Sequence, residues 1–388
     1  MPIFKEKLPL SLYIHIPWCV RKCPYCDFNS HALKGFLPEA IYINALLNEL
    51  DYYLSHHPTV LQDRPLVSIF FGGGTPSLFS GAGIKRILQG ISERMAILPS
   101  TEITLEANPG TLDQARFDSF REAGINRLSL GIQSLQNDKL QQLGRIHDTQ
   151  HALSAIQLAK QAGFHNLNID LMYGLPNQSM QDAISDLETG LAYEPSHLSW
   201  YQLTIEPNTL FYRQPPTLPN DDIIWDMQLT GQALIEKLGY TQYEVSAYSL
   251  PHKFCQHNLN YWQFGDYLGI GAGAHSKITD HVHGSVTRYA EVKHPKDYLD
   301  VNKRHAQVTI LSDHDLIFEF MLNALRLTDG SPSTLFQQRT GLPLTQIEQR
   351  LQEAKQRGLL LDDLTVICPT ALGKRFLNNV VELFLLNS

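Results

Sequence analysis

The sequence predicts an α/β protein: a partial (β/α)6 TIM-like barrel carrying a smaller C-terminal α+β unit of winged-helix-like type. Three features predict it. Six short apolar runs alternate with segments of helical period up to about residue 205, which is the pattern of repeated βα units around a parallel sheet. The turns between them carry Gly, Asn and Pro. The alternation then breaks at Pro215, Pro216 and Pro219, a cluster that marks a boundary. At 388 residues the chain exceeds the usual range of one domain, so a barrel plus a smaller unit accommodates it. The expected division is 1–210 as the barrel, 211–308 as barrel-completing strands and linker, and 309–388 as the C-terminal unit.

The first strand is the apolar run that ends at Ile16. Over 38–54, Ile41, Ala45, Leu46, Leu50 and Leu54 recur at helical spacing, with Pro38 suited to a first turn. The run 66–71 reads as a strand and ends in Gly72-Gly73-Gly74-Thr75-Pro76. A helix over 82–96, a strand over 102–107, a helix over 112–123 and a strand over 127–133 follow. A helix over 149–162, a strand over 166–172, a helix over 180–192 and a strand over 198–205 complete the alternation. Right-handed crossovers curl such units into an open barrel, with ligands at the C-terminal strand ends. Past the prolines come a helix over 222–238, a strand over 243–246, the segment 255–275, and a stretch to about 308 without clear period. Helical patterns over 316–325 and 344–357 then precede short apolar runs at 359–361 and 365–367 and a last segment, 370–377.

Composition narrows the function. There are 31 basic and 39 acidic residues, a net charge of −8, and no basic run beyond two or three residues. Neither nucleic acid nor a membrane surface is therefore expected as a partner. No apolar run reaches the ~18 residues of a membrane span, and the start Met1-Pro2-Ile3-Phe4-Lys5-Glu6-Lys7 lacks the order of a signal peptide. Five cysteines, three of them clustered, argue against a disulfide framework and for a cytoplasmic, reducing location.

The clustered cysteines are Cys19, Cys23 and Cys26, spaced C-x3-C-x2-C directly after the first strand. Three thiolates on one irregular loop can converge on a soft-metal centre, an iron–sulfur cluster or zinc. Structural zinc normally closes its tetrahedron with a nearby Cys or His, whereas Cys255 and Cys368 are remote in the chain. A cubane with three protein ligands keeps one iron open for a small molecule. Zinc, or inert buried thiols, are the bland alternatives, although Arg21 and Lys22 beside the cysteines favour thiolates.

Polar residues recur at the ends of the following strands. Gly73 and Gly74 let backbone approach a ligand closely, since no Cβ intervenes. Glu106 lies in the last turn of its strand, where a carboxylate faces the top of the barrel and could accept bonds from a ribose or an ammonium group. Gln133 ends the next strand, Arg145 follows in Leu143-Gly144-Arg145-Ile146-His147, and Asp170 interrupts an apolar run. An acid inside such a run costs several kcal/mol unless paired; Arg145 or a ligand hydroxyl is its expected partner. Each could singly be an ordinary strand-end polar group. Four in successive βα units make a site.

The cysteine loop after an N-terminal strand resembles the radical S-adenosylmethionine (SAM) superfamily. The resemblance implies a four-iron four-sulfur (4Fe-4S) cluster on Cys19, Cys23 and Cys26, whose open iron takes the amino and carboxylate groups of SAM. It implies reductive cleavage that can give a deoxyadenosyl radical, and a glycine-rich strand end, here Gly73, Gly74 and Thr75, that binds the amino group of SAM through backbone carbonyls. Tyr-x-His-Ile-Pro before the cysteines, GGGTP, LEANPG, LSLGIQS, LGRIH and NIDLMYGLP together resemble, over roughly residues 10–380, the oxygen-independent coproporphyrinogen III oxidases and their relatives. By that resemblance the barrel is a radical SAM barrel. Tyr13, Gly73, Gly74, Thr75, Glu106, Gln133, Arg145 and Asp170 would line its SAM site, with Leu203 and His275 as further contributors.

The oxidase pattern carries another cysteine two residues after the third, and an N-terminal extension that reaches over the substrate. Phe28 stands at that position here, among the expected cofactor-binding residues, and the motif begins eighteen residues into the chain. Both departures point away from oxidase activity. His257-Asn258-Leu259-Asn260-Tyr261-Trp262 contains the H-N-x-x-Y-W pattern and is similar to the HemW heme chaperones, the non-oxidase relatives. A neutral imidazole is a good axial ligand to heme iron, and Tyr261 and Trp262 offer flat apolar surface. His257 is the expected heme ligand, with Cys255 and His252 as alternatives; the bland reading is a capped turn with core aromatics. The resemblance implies a heme chaperone that holds cluster, SAM and heme. Heme would pass to an acceptor protein, respiratory proteins being candidates, with a transient membrane-protein contact. The alternative is oxidative decarboxylation of coproporphyrinogen III. A third reading, a regulatory module acting through the winged-helix-like unit, would bind nucleic acid, which the acidic balance disfavours.

Overall fold

A computed structural model of the chain describes residues 2–304 and 306–385. Its barrel half alternates β1 (Leu10–Ile16), α1 (Glu39–His56), β2 (Leu66–Gly73), α2 (Gly81–Ser92), β3 (Ile97–Ala107) and α3 (Gln114–Ala123). It continues through β4 (Arg127–Gln133), α4 (Thr149–Gln161), β5 (Leu167–Tyr173), α5 (Met180–Leu191) and β6 (His197–Gln202). These six strands pair in parallel in chain order. Leu12, Ile14, Ile69, Leu105, Leu130 and Ile169 are wholly buried in one core with the helices, as near-continuous apolar strands require. Each strand-to-helix turn after β2 to β5 ends in a side-chain cap, Ser80, Asp113, Asp148 or Ser179, accepting from a backbone N–H of the new helix. The turns are thereby held at one end of the sheet, where the site lies.

After α6 (Asp221–Lys237) the structure departs from the sequence expectation. The single strand expected over 243–246 is a pair, β7 (Thr241–Glu244) and β8 (Ala247–Ser249), and β8 lies antiparallel on β6. The segment 255–275 forms α7 (Gln256–Trp262) and β9 (Asp266–Ile270). β9 joins the free side of β1 as a seventh parallel strand. The stretch without period holds three more strands, β10 (His275–Asp280), β11 (Ser285–Ala290) and β12 (Gln307–Ile310), all antiparallel. The sheet thus has 12 strands in the order β12-β11-β10-β9-β1-β2-β3-β4-β5-β6-β8-β7. Hydropathy hides these strands because β10 buries Ser276, Lys277 and Thr279.

The C-terminal residues form α8 (Asp313–Ala324), α9 (Ser333–Thr340) and α10 (Glu348–Gln356). A short antiparallel pair, Ser331–Pro332 with Val366–Ile367, and a bridge between Leu360 and Pro369 supply the hairpin of a winged-helix-like unit. α9 was not expected from the sequence. This unit has its own core, centred on Phe320, Phe336, Ile347 and Phe384, which Phe264 joins from the barrel side. Among the described residues no helix is long and apolar enough to cross a membrane.

Candidate functional site

The cysteine loop leaves β1 and is fastened at its base before it spreads. Gly74 N donates to Ile16 O and Thr75 N to Trp18 O, each at 2.7 Å, while His31 N returns to Pro17 O at 2.7 Å. Asn29 Nδ2 donates to the carbonyls of Ala272 and Lys293, both at 2.8 Å, and so ties the far side of the loop to the strand β10 region. Cys19, Cys23 and Cys26 are free and half-buried. Each sulfur has a polar neighbour: the Thr75 hydroxyl hydrogen-bonds Cys19, Arg145 Nη1 lies 3.6 Å from Cys23 and Ser30 Oγ 3.6 Å from Cys26. Donors of this kind stabilise thiolates and tune what they bind. Burial raises the thiols of Cys19 and Cys26. Among the described residues no three Cys, His, Asp or Glu side chains close on a single-ion site. The three thiols all face one cavity.

That cavity encloses about 340 Å³ at the C-terminal ends of β2 to β6. The three cysteines, Phe28, Gly73, Gly74, Thr75, Glu106, Gln133, Arg145 and Asp170 all line it. Glu106 Oε2 accepts the Gly73 amide at 3.2 Å. Burial first, and the Asp170 carboxylate second, push the Glu106 carboxyl up to about 8. Asp170 is also raised by burial, against bonds from Asn168, Ser199 and Ser129. Its expected partner Arg145 is elsewhere, with Nη2 on the Gly131 carbonyl at 2.5 Å and Nη1 on Cys23. Gln133 adopts φ +73° at a bulge between β4 and β5, and its Oε1 accepts the Tyr201 hydroxyl at 2.7 Å. A left-handed non-glycine at such a place re-aims a side chain.

Gly74 serves a purpose beyond the one its place in the sequence suggests. A Cβ there would lie 2.5 Å from the Trp18 carbonyl oxygen. Its bareness admits the cysteine loop itself, not only a ligand. Gly73, at φ +111°, likewise lies against the His15 ring, 2.6 Å from a built Cβ.

Other expected residues do not join this cavity. Tyr13 lines a neighbouring one, and its hydroxyl meets His15 Nδ1 at 3.0 Å. Leu203 packs in a small apolar cluster with Leu143, Met172, Leu175 and Phe211. His257 lines neither cavity. It is buried in the barrel, stacked on Phe70 at 4.8 Å with Nδ1 2.9 Å from Ser68 Oγ. Burial, then Arg127, push its imidazole down to about 3. Axial ligation by His257 would require drawing the ring out from among Phe70, Tyr13 and Tyr261. Of the alternatives, Cys255 is buried against Glu102 Oε1 at 3.5 Å, whereas His252 is an exposed turn residue at φ +62°. The H-N-x-x-Y-W pattern is α7, wedged against β1, β2 and β9, with Asn258 and Trp262 facing the cluster cavity and Tyr261 the neighbouring one. Sequence reasoning missed Ser129 in β4 and Ser199 and Tyr201 in β6, which hold Asp170 and Gln133. Polar side chains within the strands of the barrel were the available signal.

Comparison with known proteins agrees with this geometry. The radical SAM superfamily pattern matches residues 13–189, and the HemN C-terminal domain pattern matches residues 311–376. The chain is 48% identical to the heme chaperone HemW of Haemophilus influenzae over 97% of its length and 98% of that protein's. It is equally 48% identical, with the same coverage, to the heme chaperone HemW of Escherichia coli. Among solved structures, coproporphyrinogen III oxidase (HemN) from Escherichia coli superposes with a TM-score of 0.80 at 23% identity, covering 97% of this chain and 90% of that one. That likeness speaks for the fold. Thr75, Glu106 and Arg145 thus sit around the cysteines in a barrel of known type, and the chain belongs to the HemW heme chaperone family of the radical SAM superfamily.

Proposed function

We propose that the chain binds a 4Fe-4S cluster on Cys19, Cys23 and Cys26, binds SAM in the adjoining cavity, and holds heme for delivery to an acceptor protein. The observation that carries the proposal is the near full-length likeness to relatives named as heme chaperones. Membership in the radical SAM superfamily implies the cluster and SAM. The residues present fit both. The three thiols have polar neighbours in place, and among the described residues Glu106 has one protein donor and Arg145 Nε is buried with no partner. When bound, the cluster supplies one-electron chemistry and an open iron for the amino-acid end of SAM. The chain's part is positional. Backbone at Gly73 to Thr75 meets the ammonium group, Glu106 and Asp170 stand ready for ammonium or ribose hydroxyls, and Gln133 and Arg145 frame the wall between them. Phe28 leaves no fourth thiolate there. Residues 1–210, 211–308 and 309–388 are barrel, barrel completion and appended unit in this reading, and a reducing, cytoplasmic location suits the clustered cysteines.

The test is an anaerobic hemin titration of the cluster-reconstituted chain, with and without SAM, followed by addition of an apo-hemoprotein. Saturation at one equivalent and transfer to the acceptor are expected. Absence of saturable binding, with coproporphyrinogen III converted to a decarboxylated product and free methionine formed, would instead establish the oxidase reading.

A pH effect follows from Glu106. Its folded-state carboxyl titrates at about 8 against an ordinary 4.5, so the folded chain holds a proton there that the unfolded chain has lost. Stability from this group is therefore full below the unfolded value and falls as pH rises through about 8. Glu106→Gln is expected to gain stability over the parent at pH 8.5 and to lose that advantage towards pH 5, read by urea denaturation without ligands. A difference that does not change with pH would refute the assignment.

A further inference from the structure

We propose that the cavity at the N-terminal ends of β1 and β2, opposite the cluster, binds a phosphate-bearing small molecule of nucleotide size, with Arg339 of α9 as its principal partner. The proposal goes beyond the heme chaperone reading and does not depend on it. The cavity encloses about 680 Å³, within the roughly 300–1,000 Å³ of small-molecule sites. Residues leading into β1 and β2, among them Leu8, Pro9 and Pro65, form one side. Thr334, Gln337, Gln338 and Arg339 of α9 form another. A ligand here touches both the barrel and the C-terminal unit.

The call for an anion comes from an imbalance of buried charge. Asp266 is wholly buried and faces two buried cations, Arg64 Nη2 at 2.9 Å and Lys277 Nζ at 3.1 Å. Glu319, the other acid acting on Lys277, is taken by Arg288. One carboxylate therefore answers two cations before Arg339 is counted. Arg339 is half-buried, and among the described residues its guanidinium makes no hydrogen bond or ion pair, with Nε shut away from water. Asp266 acts on it only at a distance, and burial, the larger effect, lowers its pKa. A guanidinium that has lost water without gaining an acceptor is costly, and a ligand oxyanion supplies that acceptor. Arg64 lines the same cavity. Lys5 and Lys7 stand exposed on its rim, Lys7 Nζ on the Gln62 carbonyl at 3.0 Å. Two guanidinium and two ammonium groups suit the charge and the forked oxygens of a phosphate. Glu6 and Asp63 are the acids of the lining, and both are exposed, where salt and water screen them. The prolines, Leu8 and Val67 give an apolar wall beside the cations, so the site suits a phosphate ester better than the bare ion.

The test uses the full chain with its cluster reconstituted and SAM in excess, so that a nucleotide cannot enter the SAM cavity. Inorganic phosphate and AMP are titrated separately by calorimetry at constant ionic strength, into the parent, Arg339→Gln and Gln338→Glu. Saturable binding of both probes to the parent is expected, AMP the tighter. Arg339→Gln is expected to weaken both at least about tenfold. Its urea midpoint without ligand should equal or exceed the parent's, because an uncompensated cation has been removed. Gln338 is exposed, so Gln338→Glu should keep the parental midpoint and weaken binding by repulsion alone. No saturable heat with either probe, or parental affinity in both variants, would overturn the proposal. AMP no tighter than phosphate would overturn the ester. A lower ligand-free midpoint in Arg339→Gln would show that the guanidinium is already answered within the chain, and would overturn the argument from buried charge.

Discussion

Asp266→Ala is expected to destabilise the chain by about 3–5 kcal/mol, the cost of stripping the partner from buried cations. Asp266 is wholly buried at the start of β9. Its carboxylate accepts from Arg64 Nη2 at 2.9 Å, Lys277 Nζ at 3.1 Å and Thr279 Oγ1 at 2.7 Å. Arg64 and Lys277 are themselves 5% and 1% exposed, so neither can turn to water when the acid is removed. Burial alone would raise the Asp266 carboxyl, but Lys277, Arg64 and Thr279 outweigh it and hold it below its ordinary 3.8. Its contribution is therefore present above the unfolded value and is lost only as pH falls through the folded one. The measurement is the urea midpoint at neutral pH for the parent, Asp266→Ala, Lys277→Met and the double variant. The double variant should recover part of the loss, because one unpaired cation goes with the acid. A single-variant loss below about 1 kcal/mol would show that water reaches these groups. The consequence extends to the site: β9 is the strand beside β1, and β1 launches the cysteine loop.

The same buried ions explain what could and could not be read from the sequence. The six βα units were legible because their strands are apolar runs; their C-terminal ends locate Gly73, Glu106 and Gln133, and Asp170 stands out as the acid within such a run, without any knowledge of packing. The last four strands of the sheet were not. Asp266, Lys277 and Thr279 are polar in composition but buried by one another, and pairing of this kind leaves no hydropathic period to detect. The pairing of Arg145 was also illegible, since Cys23 and the Gly131 carbonyl compete for a guanidinium that Asp170 does not reach. Asp170 is satisfied by Asn168 and Ser129 instead. His257 shows a third limit. A short pattern names residue types, whereas helical geometry decides which face each takes. On α7 it turns His257 and Asn260 into the barrel and Asn258 and Trp262 towards the cluster cavity. Gln133's left-handed backbone has no sequence signature at all.

Cys23→Ala is expected to abolish the broad visible absorption of the reconstituted cluster and to remove most of its iron. A cubane held by three thiolates has no spare protein ligand, and the remaining cysteines cannot substitute. Cys255 is 1% exposed, bonded to Glu102, and pushed by burial up to about 12, so it stays a thiol within the barrel. Cys368 belongs to the C-terminal unit, bonded to the Thr328 carbonyl at 3.5 Å. Cys255→Ala therefore serves as the control and should retain its iron. The fold should survive Cys23→Ala, because Cys23 is half-buried on an irregular loop whose base is held by backbone bonds from Gly74, Thr75 and His31. Unchanged urea midpoints for the apo-proteins would separate loss of a ligand from loss of the loop. Retention of three-quarters or more of the iron, at an unchanged midpoint, would mean that Cys23 is not a ligand. Arg145 Nη1, 3.6 Å from Cys23 Sγ, would then be bonding an ordinary thiol. The same experiment therefore decides whether Arg145 is a partner of the cluster or only a brace between the loop and β4.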